Sequence, residues 1–179
     1  MPTARWLLLS LLVLAAPAAA EPERAPTPGD VAFAACRATD PLPPEARLEA
    51  LEHVRTGAEI ALAAAPDDPA AHLAVFCALG RRRQLLGLGI PALGEVRRMR
   101  RLIDHVLTLA PDWAEAIAAK GGFLCALPRL LGGDRPQGVR LLRRAMLLDP
   151  TNADARRLLI EYGGEDALPP ALAGSSLGR

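Results

Sequence analysis

Aromatic residues are scarce in this chain, with two tryptophans, one tyrosine and three phenylalanines among 179 residues. That scarcity argues against a stacking platform for bases or sugars. Lysine is almost missing, since 20 of the 21 basic residues are arginine and Lys120 is the exception. Neither sign of charge is in excess, because 20 acidic residues balance the 21 basic ones. The balance excludes a strongly basic nucleic-acid binder and an acidic disordered tail protein. Serine occurs only at Ser10, Ser175 and Ser176. A serine nucleophile would therefore stand near a chain end, where no scaffold holds it against a base. The histidines, His53, His72 and His105, form no His-x-x-x-His pair. The cysteines, Cys36, Cys77 and Cys125, form no Cys-x-x-Cys pair. No metal site is expected from such spacings, and no cofactor motif is present. Gly87-Leu88-Gly89 and Gly132-Gly133 follow no strand and precede no Gly-Lys-Ser/Thr, so they are not phosphate loops. An enzyme is not expected.

What is abundant is alanine and leucine, with few β-branched residues to favour sheet. Met1 to Ala20 reads as a secretory signal peptide. Arg5 supplies the positive start, Trp6 to Ala16 the apolar stretch, and Ala18-Ala19-Ala20 the small-residue cleavage pattern before Glu21. The apolar run is shorter than the roughly 20 residues that span a bilayer, so cleavage after Ala20 and no stable membrane insertion are expected. The expected location is the periplasm or the exterior, which permits disulfides. Three cysteines leave at least one thiol over. The favoured expectation is three small buried thiols in separate helices, with one internal bridge as the alternative.

The organisation expected downstream is a flexible leader over residues 21–29, a helical domain over 30–162 and a disordered tail over 163–179. Seven helices are expected: Asp30 to Ala38, Glu45 to Ala64, Pro69 to Arg83, Ala92 to Leu109, Trp113 to Ala126, Arg135 to Leu148 and Asn152 to Tyr162. The first should turn Val31, Ala34, Ala35 and Ala38 to one side. The second carries Leu48, Leu51, Val54, Ala58, Ala61 and Leu62 at helical spacing, and the fourth carries Leu93, Val96, Met99, Ile103, Val106 and Ala110. The sixth should bury Val139, Leu142, Ala145 and Met146. Asp68, Asp112 and Asp134 are expected caps, and Thr151 with Asp154 an approximate capping box. The fold class is all-α, because no stretch alternates apolar and polar residues over a strand length.

One phrase recurs. Ile60 to Pro66, Val106 to Pro111 and Ala145 to Pro150 each end an amphipathic helix, and a second helix follows each proline. Gly138, Leu142, Ala145 and Pro150 reproduce the second half of the tetratricopeptide repeat in register. Met99, Ile103, Val106 and Pro111 match its spacing without the small residues, and Val54, Ala58, Ala61 and Pro66 match it loosely. In the first half, Ile117 and Gly121 fit, whereas His72 and Phe76 do not. The chain thus resembles tetratricopeptide-repeat (TPR-like) exported proteins. The resemblance implies a short right-handed solenoid of about three helical hairpins plus a C-terminal capping helix. Ala126 to Asp134, followed by a basic helix and Leu148-Asp149-Pro150, is also similar to the helical T component of TRAP-type transporters. That family's implied properties are a surface for a substrate-binding partner and an apolar cavity.

Stacked hairpins bury what one hairpin cannot. The first functional expectation is an exported scaffold that binds a protein partner in a groove lined by His72, Phe76, Leu79, Lys120, Phe123 and Leu124. The alternative is a carrier or transporter-associated component that holds a small apolar ligand between Leu79, Leu86, Phe123, Leu127 and Leu130. A cluster of arginine, chiefly Arg81, Arg82, Arg83, Arg97, Arg98 and Arg101, has two readings. It is either the solvated back of two helices or a basic patch for an acidic partner or lipid headgroups. Nucleic acid is not an expected partner.

Overall fold

The computed structural model describes residues 25–87 and 92–169. The expected signal peptide and its cut after Ala20, positions 21–24 of the leader, Gly89, Pro91 and positions 170–179 of the expected tail lie outside the described residues.

Among the described residues the chain forms seven α-helices and no strand. They are α1 (Pro28–Ala38), α2 (Pro44–Ala64), α3 (Pro69–Leu86), α4 (Ala92–Leu109), α5 (Ala114–Ala126), α6 (Arg135–Leu148) and α7 (Ala153–Gly163). Short 3-10 turns follow at Arg129–Leu131 and Glu165–Ala167. The all-α class is as the sequence predicts.

Start signals are local. Thr27 and Asp30 form a reciprocal capping box, so α1 begins ahead of the expected Asp30 and takes in Pro28 and Gly29 from the expected leader. Asp68 accepts from the Ala70 amide, with Pro69 in the first turn of α3. Asp134 accepts from Gln137 and starts α6. Two expected caps differ. Trp113, not Asp112, stands at the start of α5 and makes no side-chain cap bond. Asn152 caps α7 through the Ala155 amide, while Thr151 turns back to Asp149. The amide side chain sits one residue nearer to the helix and outcompetes the hydroxyl for that position.

Each helix packs against the next. The helices α1 and α2 both lie on α3, α5 lies closely on α6, and α7 covers α5 and α6. Between α3 and α5 the contact is slight. The expected stripes of α2 and α6 face inward, with Leu51, Ala58, Ala61, Leu142, Ala145 and Met146 buried. Burial of a leucine of this kind stabilises by about 1.5–3 kcal/mol. The α4 stripe is buried from Val96 to Val106, whereas Leu93 is exposed.

Glycine sets the closest approach. A Cβ on Gly138 would stand 2.6 Å from the Gly121 carbonyl oxygen, and one on Gly121 would stand 2.9 Å from Leu142 Cγ. No larger residue permits α5 and α6 to touch there. Gly29 does the same between α1 and the start of α3, where an added Cβ would meet the Ala71 amide at 2.4 Å.

Three expectations are corrected. Val31, Ala34, Ala35 and Ala38 are exposed, and α1 instead presents Gly29, Ala32, Phe33 and Cys36 to the core. The reason is covalent as well as apolar. Cys36 and Cys77 are joined in a disulfide across 41 residues of sequence, with Cα atoms 6.4 Å apart, and this fixes the rotation of α1 on α3. The favoured expectation of three reduced thiols is thereby overturned, and only Cys125 is free. The expected tail also starts later, because Ala167 is 3% exposed and packs with the α5–α7 core. Its carbonyl accepts from Arg143 Nε at 2.8 Å.

Candidate functional site

The slight contact between α3 and α5 leaves a concave cavity of about 850 Å³. It is lined by α1, α3, α5 and α7, with Val96 and Met99 of α4 beneath. The cause is side-chain size. Where α3 and α5 face the gap they carry Gly80, Ala118, Ala119, Gly122 and Ala126, which fill little volume. Phe76 and Phe123 bridge the gap edge to face, with centroids 5.6 Å apart. Phe33 of α1 makes a similar contact with Trp113 at 6.0 Å. Leu73 and Leu127 complete an apolar floor.

The rim is charged and unevenly so. On the α1–α3 side, Asp40 of the α1–α2 turn accepts from Arg47 Nη2 at 2.6 Å and also pairs with Arg81. Arg37 points into the same cavity, and its guanidinium makes no ion pair among the described residues. Arg47 Nε is buried with no hydrogen-bond partner. Two guanidinium groups thus share the Asp40 carboxylate, with a third, that of Arg37, in the same lining. The Arg81 guanidinium is held below the ordinary arginine range, first by burial, with Arg37 and Arg157 adding to the effect and Asp154 opposing it. Arg81 Nε also donates to Cys77 Sγ at 3.2 Å, so the disulfide sits one helical turn from this corner. The α5 and α7 walls carry Glu115, Asp154 and Glu161. There Arg157 pairs with Asp154 at 3.3 Å and with Glu161 at 3.5 Å.

The predicted groove residues divide. Phe76 and Phe123 line the cavity. Leu79 and Leu124 are buried in the core. His72 turns away, donating from Nε2 to the Pro66 carbonyl (2.7 Å), with its ring 4.6 Å from that of His105. Lys120 pairs with Asp104 of α4 at 2.8 Å. Of the predicted ligand walls, Leu127 joins Phe123 in the cavity, while Leu86 and Leu130 are solvent-exposed. Arg37, Arg47 and Asp40 were not singled out, because the α1–α2 turn and α3 lie about 40 residues apart in sequence. The only sequence signal for their meeting was the pair Cys36 and Cys77.

The arginine cluster is mostly tied down. Arg82 and Arg83 pair with Glu95 at 3.1 and 2.8 Å, and Arg98 reaches Glu59 at 3.1 Å. Glu59 also pairs with Arg55, which pairs with Glu52. The hydrogen bond to Arg55 lowers the Glu52 carboxyl below its usual range, and the same contact raises Arg55. Arg97 and Arg101 are exposed and make no ion pair among the described residues.

Among the described residues no group of three or more histidine, cysteine or acidic side chains could hold a metal ion. Cys125 is half-buried, and burial pushes its thiol upward against the pull of Arg135. No described helix is long and apolar enough to cross a membrane. The chain matches no protein-family model, no curated protein and no solved structure.

Proposed function

We propose that this protein is an exported TPR-like binding module that holds a protein partner in the concave cavity and carries out no covalent step. The observation that carries the reading is the cavity itself, walled by every second helix and floored by Phe33, Phe76, Met99 and Phe123. In this reading the pairs α1–α2, α3–α4 and α5–α6 are the hairpins of a short right-handed solenoid, and α7 closes it. Support comes from the Gly121–Gly138 approach and from buried Leu142 and Ala145, the positions at which the sequence resembles the repeat. Export to the periplasm or beyond is supported by the Cys36–Cys77 bond, since disulfides persist in oxidising compartments. A partner's apolar side chains would enter the floor, and its charges would meet the rim.

A second reading is a carrier of a small apolar ligand, related in role to the T component of TRAP-type transporters. It is favoured by the cavity volume, which falls within the roughly 300–1,000 Å³ of small-molecule sites.

The test is expression of the full chain with its N-terminal segment in a bacterial host, followed by native mass spectrometry of the periplasmic fraction. A mass beginning at Glu21 and a stoichiometric protein adduct are expected. The adduct should be lost from an Ala119→Phe variant that fills the cavity while keeping its helical circular dichroism. Retention of an uncut chain in the cytoplasm would overturn export. A protein adduct that survives Ala119→Phe would overturn the cavity as the binding surface. A small lipophilic adduct would favour the carrier.

A further inference from the structure

The cavity is apolar below and has separated charges above. Beside α1, α2 and α3, Arg47 and Arg81 both pair with Asp40, and Arg37 lies in the same lining with no ion pair among the described residues. Beside α5 and α7 the carboxylates of Glu115, Asp154 and Glu161 face Arg157. A cluster of like charges on partly covered side chains is unfavourable unless an anion joins it. Arg47 and Arg81 are mostly covered, with side-chain exposures of 20% and 15%. Arg37 is exposed, adjacent to the disulfide that holds α1 on α3, and free to close on a ligand.

We propose that the Asp40 corner of the cavity receives the anionic head of a single-chain amphiphile whose apolar chain lies along Phe33, Phe76, Met99 and Phe123. The inference rests on the carrier reading above and names its ligand class. Charge complementarity places the head, because the corner has an excess of donors and a guanidinium fork suits a carboxylate or phosphate. The acidic α5 and α7 walls disfavour a second anionic group, so the ligand is a monoanion.

Dodecanoate, dodecanol and dodecylammonium, each below its micellar concentration, separate head from chain in calorimetric titrations of the oxidised protein. One dodecanoate per chain is expected, bound about tenfold or more tighter than either of the others. Arg37→Gln should weaken dodecanoate about five- to tenfold and leave dodecanol unchanged. The Arg37 side chain is exposed and makes no hydrogen bond or ion pair among the described residues, so that variant reports on binding rather than folding. Ala119→Phe should abolish binding of all three. Dodecyl phosphate, run beside dodecanoate, tells which anionic head is preferred. Equal affinity for dodecanoate and dodecanol, preference for dodecylammonium, or an unchanged Arg37→Gln variant would overturn the anion corner while leaving an apolar carrier standing. Failure of all three chains to bind would overturn the inference and the carrier reading together.

Discussion

From α1 to α4 the helices are tied by a covalent bridge and by ion pairs that run between elements. Cys36–Cys77 joins α1 to α3, Arg98–Glu59 joins α4 to α2, and Arg82 and Arg83 reach Glu95 across the α3–α4 hairpin. From α5 to α7 no disulfide occurs, and the arginines there chiefly seize carbonyl oxygens. Arg135 holds Tyr162 at 2.7 and 2.9 Å, Arg143 holds Ala167, and Arg144 reaches Pro111 and Asp112. Close packing does the rest, with Gly121 and Gly138 in contact. Across the junction between the halves, Arg100 of α4 donates to the Gly132 carbonyl at 2.9 Å and lies 5.8 Å from the centre of the Phe123 ring, and Lys120 of α5 pairs with Asp104 of α4. The contrast shows that a glycine approach can be reinforced by a cross-link, as at Gly29 and Cys36–Cys77 between α1 and α3, or can serve without one, as at Gly121 and Gly138 between α5 and α6. The cavity lies where neither device operates, between α3 and α5.

The disulfide is the strongest test of this contrast. Closing a loop of this length is worth about 4 kcal/mol in the chain-entropy picture. Replacing both Cys36 and Cys77 by serine should lower denaturant stability by up to that amount, with α1 the element most affected. Thiol titration of the unfolded, unreduced protein should find one reactive group, and reduction should raise it to three. Three thiols both before and after reduction would break the comparison at its root.

Gly138→Ala probes the other half. Alanine is the better helix former by about 0.5–1 kcal/mol, yet its methyl group would press on Cys125 Sγ and on the Gly121 carbonyl. Overpacking of this kind costs about 1–3 kcal/mol. A net loss of stability is therefore expected, and a gain would show that α5 and α6 do not approach so closely.

The ion pairs should matter least. Glu59 and Arg98 are about one-third and two-fifths exposed, and exposed pairs are worth under about 1 kcal/mol. Glu59→Gln should shift the unfolding midpoint slightly, and the shift should vanish at high salt. A loss comparable with that of the disulfide variant would make the ionic network, not the bridge, the tie of the first half.

Much of the fold was legible because its signals are local. Prolines and capping side chains mark the helix boundaries, so α4 and α6 begin and end where the spacing predicts, and α2, α3, α5 and α7 differ by a few residues at one or both ends. α3 ran three residues past Arg83 because Gln84, Leu85 and Leu86 offer no stop signal before Gly87, whose positive φ of 74° ends the helix. The inward face of α1 was not legible. Its apolar residues occur on both sides, and periodicity cannot choose between them in an 11-residue helix rich in alanine. The bridge to Cys77 chose. Half-legible too is the site: of the residues expected on the first helices, Phe76 and Phe123 line the cavity, whereas His72 and Lys120 meet His105 and Asp104 of α4.

The sequence by itself determined helices, their limits and their apolar stripes, because hydrogen bonds within a turn and caps within four residues fix them. Only the tertiary structure decided which two cysteines meet, which arginines lose their solvent to a carboxylate, and where small residues on separate helices add up to a cavity. Those outcomes depend on distances between segments some 40 residues apart, and no local interaction carries that information.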